Sequence, residues 1–245
     1  MLLAWIVFFS IVGSIGAMAG AALMLSFPDR VRKSLLPALL GYATGTLLGA
    51  AFLGMIPKAL EEQTAVAISC TLLIGIVAFF ILEKLVIWRH AHEQNDDSSS
   101  AAGPLILIGD AFHNFVDGVV IAGAFLTSVP LGISVSLAVI AHEIPQEVGD
   151  FAILLDSGYS KTRALLLNLL SAMATLPGAL IGYFFLAEAT ALVPFILALS
   201  AASFIYIAVA DLVPGLTRQR GFRVSIIQLL LLLTGIATIA LFHIG

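Results

Sequence analysis

Apolar residues run along this chain in stretches of about 20, broken by short polar segments rather than by regular alternation. A helix needs about 20 such residues to cross the hydrocarbon core of a bilayer. The pattern predicts eight spans, at about 2–26, 35–57, 65–87, 105–127, 131–155, 164–187, 192–213 and 225–244. Membrane β-strands would be about ten residues long and alternate in polarity. Lipid offers no partner to free backbone groups, so the spans are helices. The expected fold is all-α: a polytopic bundle of eight transmembrane helices, one domain over 1–245 with little chain outside the bilayer.

Two spans break the apolar pattern in their interiors. Span 4 carries HNFVDG (His113–Gly118) and span 5 carries HEIPQE (His142–Glu147). An Asp at the centre of a membrane helix costs roughly 2.5–3.5 kcal/mol even on lenient insertion scales. Three carboxylates, two imidazoles and two amides at that depth must compensate one another or hold a cation. Those are the groups a divalent metal takes.

Helical spacing sharpens the reading. Asp110, His113, Asn114 and Asp117 follow i, i+3, i+4, i+7 and form one stripe. His113 and Asp117, a turn apart, can chelate one ion. Gly118 and Gly123 are expected to admit a neighbouring helix closely. In span 5, His142 pairs with Gln146 and Glu143 with Glu147, and Asp150 extends the second row. Pro145 has no N–H and crowds the carbonyl of Ala141, so a bend or opening is expected there. The competing reading is a hydrogen-bonded polar seam between helices.

Composition agrees: the chain is 60% hydrophobic and 11% charged. Ten of the eleven Lys and Arg fall at the end of span 3 or in the loops after spans 1, 3, 5 and 7, and only Lys58 falls on the other side. The positive-inside rule then puts those loops in the cytoplasm and both termini outside. No basic residue precedes span 1 and three follow it, the reverse of a signal peptide, so it is read as a retained helix. The lone Cys70 is expected to be a small buried apolar side chain. The loop at about 88–104 reads as a flexible polar linker, with His90 and His92 as solvated residues or a weak metal-collecting tether. GMIPKAL (Gly54–Leu60) in span 2 and DLVPGL (Asp211–Leu216) in span 7 hint at a repeat, necessarily of inverted topology.

HEIPQE is not the zinc-protease motif, since Gln146 replaces the second His and Pro145 interrupts the helix. GDAFHNFVDG (Gly109–Gly118) and HEIPQEVGDFAILL (His142–Leu155) instead resemble the signature helices of the ZIP (Zrt-, Irt-like) divalent metal transporters. The resemblance is strongest to the subfamily with HExPHE on helix 5. It extends to FFILEKL in span 3, ALLLNLLSA in span 6 and ADLVP in span 7. It implies an eight-helix bundle with helices 4 and 5 central, both termini outside, a homodimer of the minimal bacterial type, and location in the plasma membrane.

The resemblance also implies a binuclear metal site. Its ligands are His113, Asn114 and Asp117 with His142, Glu143 and Gln146, and Asp117, His142 and Gln146 lie where the two metals meet. Asn168 on helix 6 is a further candidate, and Glu147, Asp110 and Asp150 are candidates for the site or its path. Two departures stand out. Gln146 replaces the subfamily's His, which weakens borderline-soft ions relative to harder ones. Gly54 stands where helix 2 often has His, so that ligand is lost or supplied by Met55.

The expected function is uptake of a divalent ion, Zn²⁺ foremost with Fe²⁺, Mn²⁺ or Cd²⁺ as other cargo, and not an enzymatic one. Its expected partners are the ion and the lipid bilayer, with no nucleic acid. Two alternatives are an intramembrane zinc-dependent hydrolase, with Glu147 as its only candidate base, and a receptor or assembly subunit glued by the polar seam.

Overall fold

The computed structural model describes residues 1–93, 102–217 and 221–242, and no strand occurs among them. Eight helices are long and apolar enough to cross a membrane: Leu2–Ser26 (α1), Arg30–Glu62 (α2), Ala65–Glu93 (α3), Ala102–Thr127 (α4), Val129–Asp156 (α5), Lys161–Glu188 (α6), Thr190–Thr217 (α7) and Phe222–Ala240 (α8). The chain is a polytopic α-helical bundle, as its apolar pattern predicts.

Local chemistry sets the hairpin that carries the polar residues. Only Ser128 separates α4 from α5, and its Oγ accepts from the Leu131 N–H at 3.3 Å. That cap, with Pro130 in the first turn, starts α5 at once and sends it back along α4. Gly158, at φ 87°, turns the chain out of α5, and Ser160 caps α6. The α3–α4 connection is shorter than its composition suggests. Trp88–Glu93 contains no Gly or Pro, and α3 runs through it to Glu93. Residues 94–101 and the side chains of His90 and His92 lie outside the described residues.

α2 packs along α8, α3 along α7, and α4 along α5 and α6, while α1 and α2 flank α5. Exchanging α1 with α6, α2 with α7, α3 with α8 and α4 with α5 maps these pairs onto one another, with α4 against α7 as the counterpart of α2 against α5. Helices five apart in an alternating bundle run in opposite directions, so the relation is an inverted repeat. Two matching irregularities support it. Six-residue π-helical turns at Ala50–Met55 and Ile207–Leu212 each end two residues before a proline, Pro57 and Pro214. The carbonyls that those prolines would strike, Leu53 and Ala210, lie inside the widened turns. α5, by contrast, stays continuous through Pro145, so the opening expected there occurs in α2 and α7 instead.

Small residues let the helices close up. A Cβ on Gly118 would strike the Thr175 carbonyl, and one on Gly178 would strike the Phe115 carbonyl, which brings α4 against α6. Gly45 and Gly235 do the same between α2 and α8. Gly123 does not share this role, since a Cβ there would meet only ordinary contacts at 3.5 Å and beyond. Cys70 is exposed rather than buried, because α3 is a peripheral helix and the thiol lies on its outer flank. α5 is among the most enclosed spans, while α4 leaves Ile108 and Phe112 exposed on one flank.

Overpacking a close helix crossing costs about 1–3 kcal/mol. Gly118→Ala should therefore lower Tm in detergent by several degrees, whereas Gly109→Ala, with nothing within 4 Å of the added Cβ, should not lower it.

Candidate metal site

α4 and α5 bring four of the predicted ligands to one point. His113, Asp117, His142 and Glu143 each offer an atom to a group in which all atoms lie within 4.8 Å of one another. Nε2 of His113 stands 3.2 Å from Nε2 of His142, 3.4 Å from Oε1 of Glu143 and 3.9 Å from Oδ2 of Asp117. Nε2 of His142 stands 3.3 Å from Oδ2 of Asp117 and 3.5 Å from Oε1 of Glu143. Donors about 2.0–2.1 Å from a tetrahedral zinc lie about 3.3–3.4 Å apart. The five separations bracket that edge.

The tautomer of His142 is set by the backbone. Its Nδ1 lies 3.0 Å from the Ala138 carbonyl, which can only accept, so Nδ1 carries the proton. In the neutral ring, Nε2 then presents its lone pair to the cluster, the arrangement a metal-binding His uses. Both oxygens of Asp117 and Oε1 of Glu143 are buried without a hydrogen-bond donor among the described residues. The cluster thus gathers acceptors and leaves them unpaired.

The two amides expected as ligands are held by their nitrogens. Nδ2 of Asn114 donates to Oδ1 and the main-chain oxygen of Asp110, at 3.0 and 3.2 Å. Nε2 of Gln146 donates to the same Oδ1 at 3.3 Å. The Thr175 hydroxyl on α6 reaches Oδ1 of Asn114 at 3.0 Å, sharing its proton with the Ala172 carbonyl at 2.9 Å. Asn168 docks on α5 through Nδ2, 3.1 Å from the Glu147 carbonyl. Met55 is buried within the apolar core. A second acidic group, Asp110, Glu143 and Glu147, shares Glu143 with the first. Glu143 is the residue common to both groups, whereas the resemblance gives the shared positions to Asp117, His142 and Gln146.

Thr175 went unpredicted, although it was within reach of the sequence. Asn168, Ser171 and Thr175 follow i, i+3, i+7 on α6, a polar stripe as regular as that of α4.

One side of the cluster is closed and the other open. Toward the α4–α5 turn lies an apolar core containing Phe125, Leu131, Leu197 and Phe204, with Phe204 edge-on to His142 at 6.0 Å. Toward the other end opens a cleft of about 520 Å³, lined by Asp110, His113, Gln146, Asp150 and Asp211 among others. Asp150 lies beside Asp110 on its wall.

The fold and this buried group define a polytopic membrane protein with the donor set of a metal site inside its bundle. Residues 89–243, more than half of the chain, match the family described as ZIP Zinc transporter. The chain belongs to that family. It is 32% identical to the zinc transporter ZIP13 of Pongo abelii, over 84% of this chain and 66% of that one. It is 30% identical to the zinc transporter zipt-7.2 of Caenorhabditis elegans, over 82% and 57%, and 30% identical to the ZIP13 homolog of Drosophila melanogaster, over 87% and 79%. The match thus covers less than two thirds of the first two relatives.

Removing a partner from a buried polar atom costs about 1–3 kcal/mol. Thr175→Val should lower thermal stability by that order through Asn114, and Thr175→Ser should restore most of it.

Proposed function

We propose that this chain carries divalent metal ions, Zn²⁺ foremost, across a membrane into the cytoplasm through the cluster on α4 and α5. The observation that carries the reading is the near-tetrahedral spacing of two imidazoles and two carboxylates at membrane depth, with acceptors left unpaired. Relatives described as zinc transporters support the cargo.

The basic residues put the α1–α2, α3–α4, α5–α6 and α7–α8 loops in the cytoplasm and both termini outside. The cleft then opens inward, and the apolar core around Phe125 and Phe204 closes the outer side. The conformation is inward-open. In the outward conformation that core must part, so that a dehydrated ion reaches His113, Asp117, His142 and Glu143. The carboxylates neutralise it and the imidazoles complete the shell. Rearrangement of the helices, with Pro145 and the widened turns of α2 and α7 as compliant points, returns the site to the cleft. Protons compete with metal for the same ligands, so protonation on the inner side favours release. Asp150 and Asp211 line the way out.

We place the protein in the plasma membrane as a homodimer. Glu147, the base an intramembrane hydrolase would need, is fully buried and does not line the cleft, which disfavours that alternative.

Zn²⁺ at 100 times its Kd should stabilise the purified protein by about 2.7 kcal/mol. That stabilisation should be reversed by a chelator and absent in Asp117→Ala. Radiotracer Zn²⁺ uptake into vesicles should fall at least tenfold, by about 1.4 kcal/mol or more, in the His142→Ala, Glu143→Ala double variant. Full uptake by that variant refutes the proposal.

A further inference from the structure

At the end of the bundle that carries the basic loops, two grooves open beside the last turns of α5. The first, of about 600 Å³, has apolar walls from Leu25 of α1, Leu36 of α2, and Val148, Phe151 and Leu155 of α5. The second, of about 330 Å³, runs between α1 and α6 and adds Ala22 and Leu165. Leu25, Phe151 and Lys161 line both, so the two grooves share an apolar wall and meet at one cation. Charge is confined to the lip, where Arg32, Asp156 and Lys161 stand. Val148 precedes Asp156 by eight residues on α5 and so lies about 12 Å deeper. Leu36 and Leu165 lie about 6 Å, one helical turn, inside Arg32 and Lys161. Two cations against one acid leave the lip positive. Arg163 adds a third cation two residues beyond Lys161, its guanidinium 4.8 Å from the centre of the Tyr159 ring.

Apolar walls that end in cations at a single depth fit an amphiphile with a negative head. We infer that these grooves bind one anionic phospholipid of the cytoplasmic leaflet, with its phosphate at Lys161 and Arg32 and an acyl chain in each groove. The paired grooves select a two-chain lipid, because they meet at the one cation that a shared head needs. A free phosphate would leave the apolar walls uncovered. The net positive lip selects an anionic head, since a choline would set its ammonium against Lys161 and Arg32. The basic residues assign this end of the helices to the cytoplasmic side, where anionic lipids and basic pockets between membrane helices meet. The metal cluster has no part in this site. The lipid would touch α1, α2, α5 and α6 together, and so join the helix bearing His142 and Glu143 to the one bearing the widened turn at Ala50–Met55.

The test titrates the full chain, purified in detergent, with dioleoyl phosphatidylglycerol or dioleoyl phosphatidylcholine and reads retained lipid by native mass spectrometry. Wild type should retain one phosphatidylglycerol, at least fivefold more tightly than phosphatidylcholine. Lys161→Gln should weaken phosphatidylglycerol about fivefold, the effect of one lysine near anionic lipid, and leave phosphatidylcholine unchanged. Ala152→Phe and Ala22→Phe, at exposed positions on the first and second grooves, should each weaken both lipids by filling one groove. Arg223→Gln, at a basic position of the same side that lines neither groove, should change nothing. Lys161 is exposed, so Lys161→Gln decides the matter if either phenylalanine variant fails to elute as a single species. Equal retention of the two lipids by wild type overturns the inference, as does a preference undiminished in Lys161→Gln. An equal loss in Arg223→Gln would mark a general surface charge and overturn it too. The lipid is likewise refuted if both phenylalanine variants bind as wild type does, or if inorganic phosphate raises Tm as far as phosphatidylglycerol does.

Discussion

Carboxylates and imidazoles at membrane depth set the terms for the rest of this molecule. Each ionised group there carries a desolvation cost of several kcal/mol, and one unpaired acid is enough to exceed what a helix–helix contact returns. The ion pairs described for Asp117 and Glu143 are all with His113 and His142, side chains of the same cluster. Buried acceptors without donors remain after every such contact is counted.

The scaffold packs closely around these side chains and leaves one approach open. Ser128 reverses the chain within one residue, so α5 runs back beside α4. Gly118 and Gly178 bring the α6 backbone onto α4, close enough for Thr175 to reach Asn114. Asn114 and Gln146 in turn fix Asp110. The amides thus act as supports for a carboxylate. Gln146, an amide where the resembling subfamily has an imidazole, donates to that acid.

Irregular backbone appears where the cleft needs it. The widened turn of α7 contributes Ile207, Asp211 and Leu212 to the cleft wall. Such turns carry weakened backbone bonding and are tolerated in a membrane helix where protein or water covers them. The matching turn in α2 follows from the repeat, since the same apolar-pair-and-proline arrangement recurs in the opposite direction.

Much of this was legible in the order of residues. Span length and apolarity depend on each residue's own transfer free energy, so the number and rough placement of the helices follow from local content. The stripe Asp110–His113–Asn114–Asp117 follows from helical period alone, as does the pairing of His142 with Gln146. Those are properties of one helix at a time. Which groups meet across helices depends on rotation, depth and close approach, and these are set by packing surfaces distant in sequence. Only the folded bundle decided that Glu143 joins two clusters, that the amides of Asn114 and Gln146 turn to Asp110, that Cys70 faces outward, and that the backbone opens ahead of Pro57 and Pro214 while α5 stays continuous through Pro145.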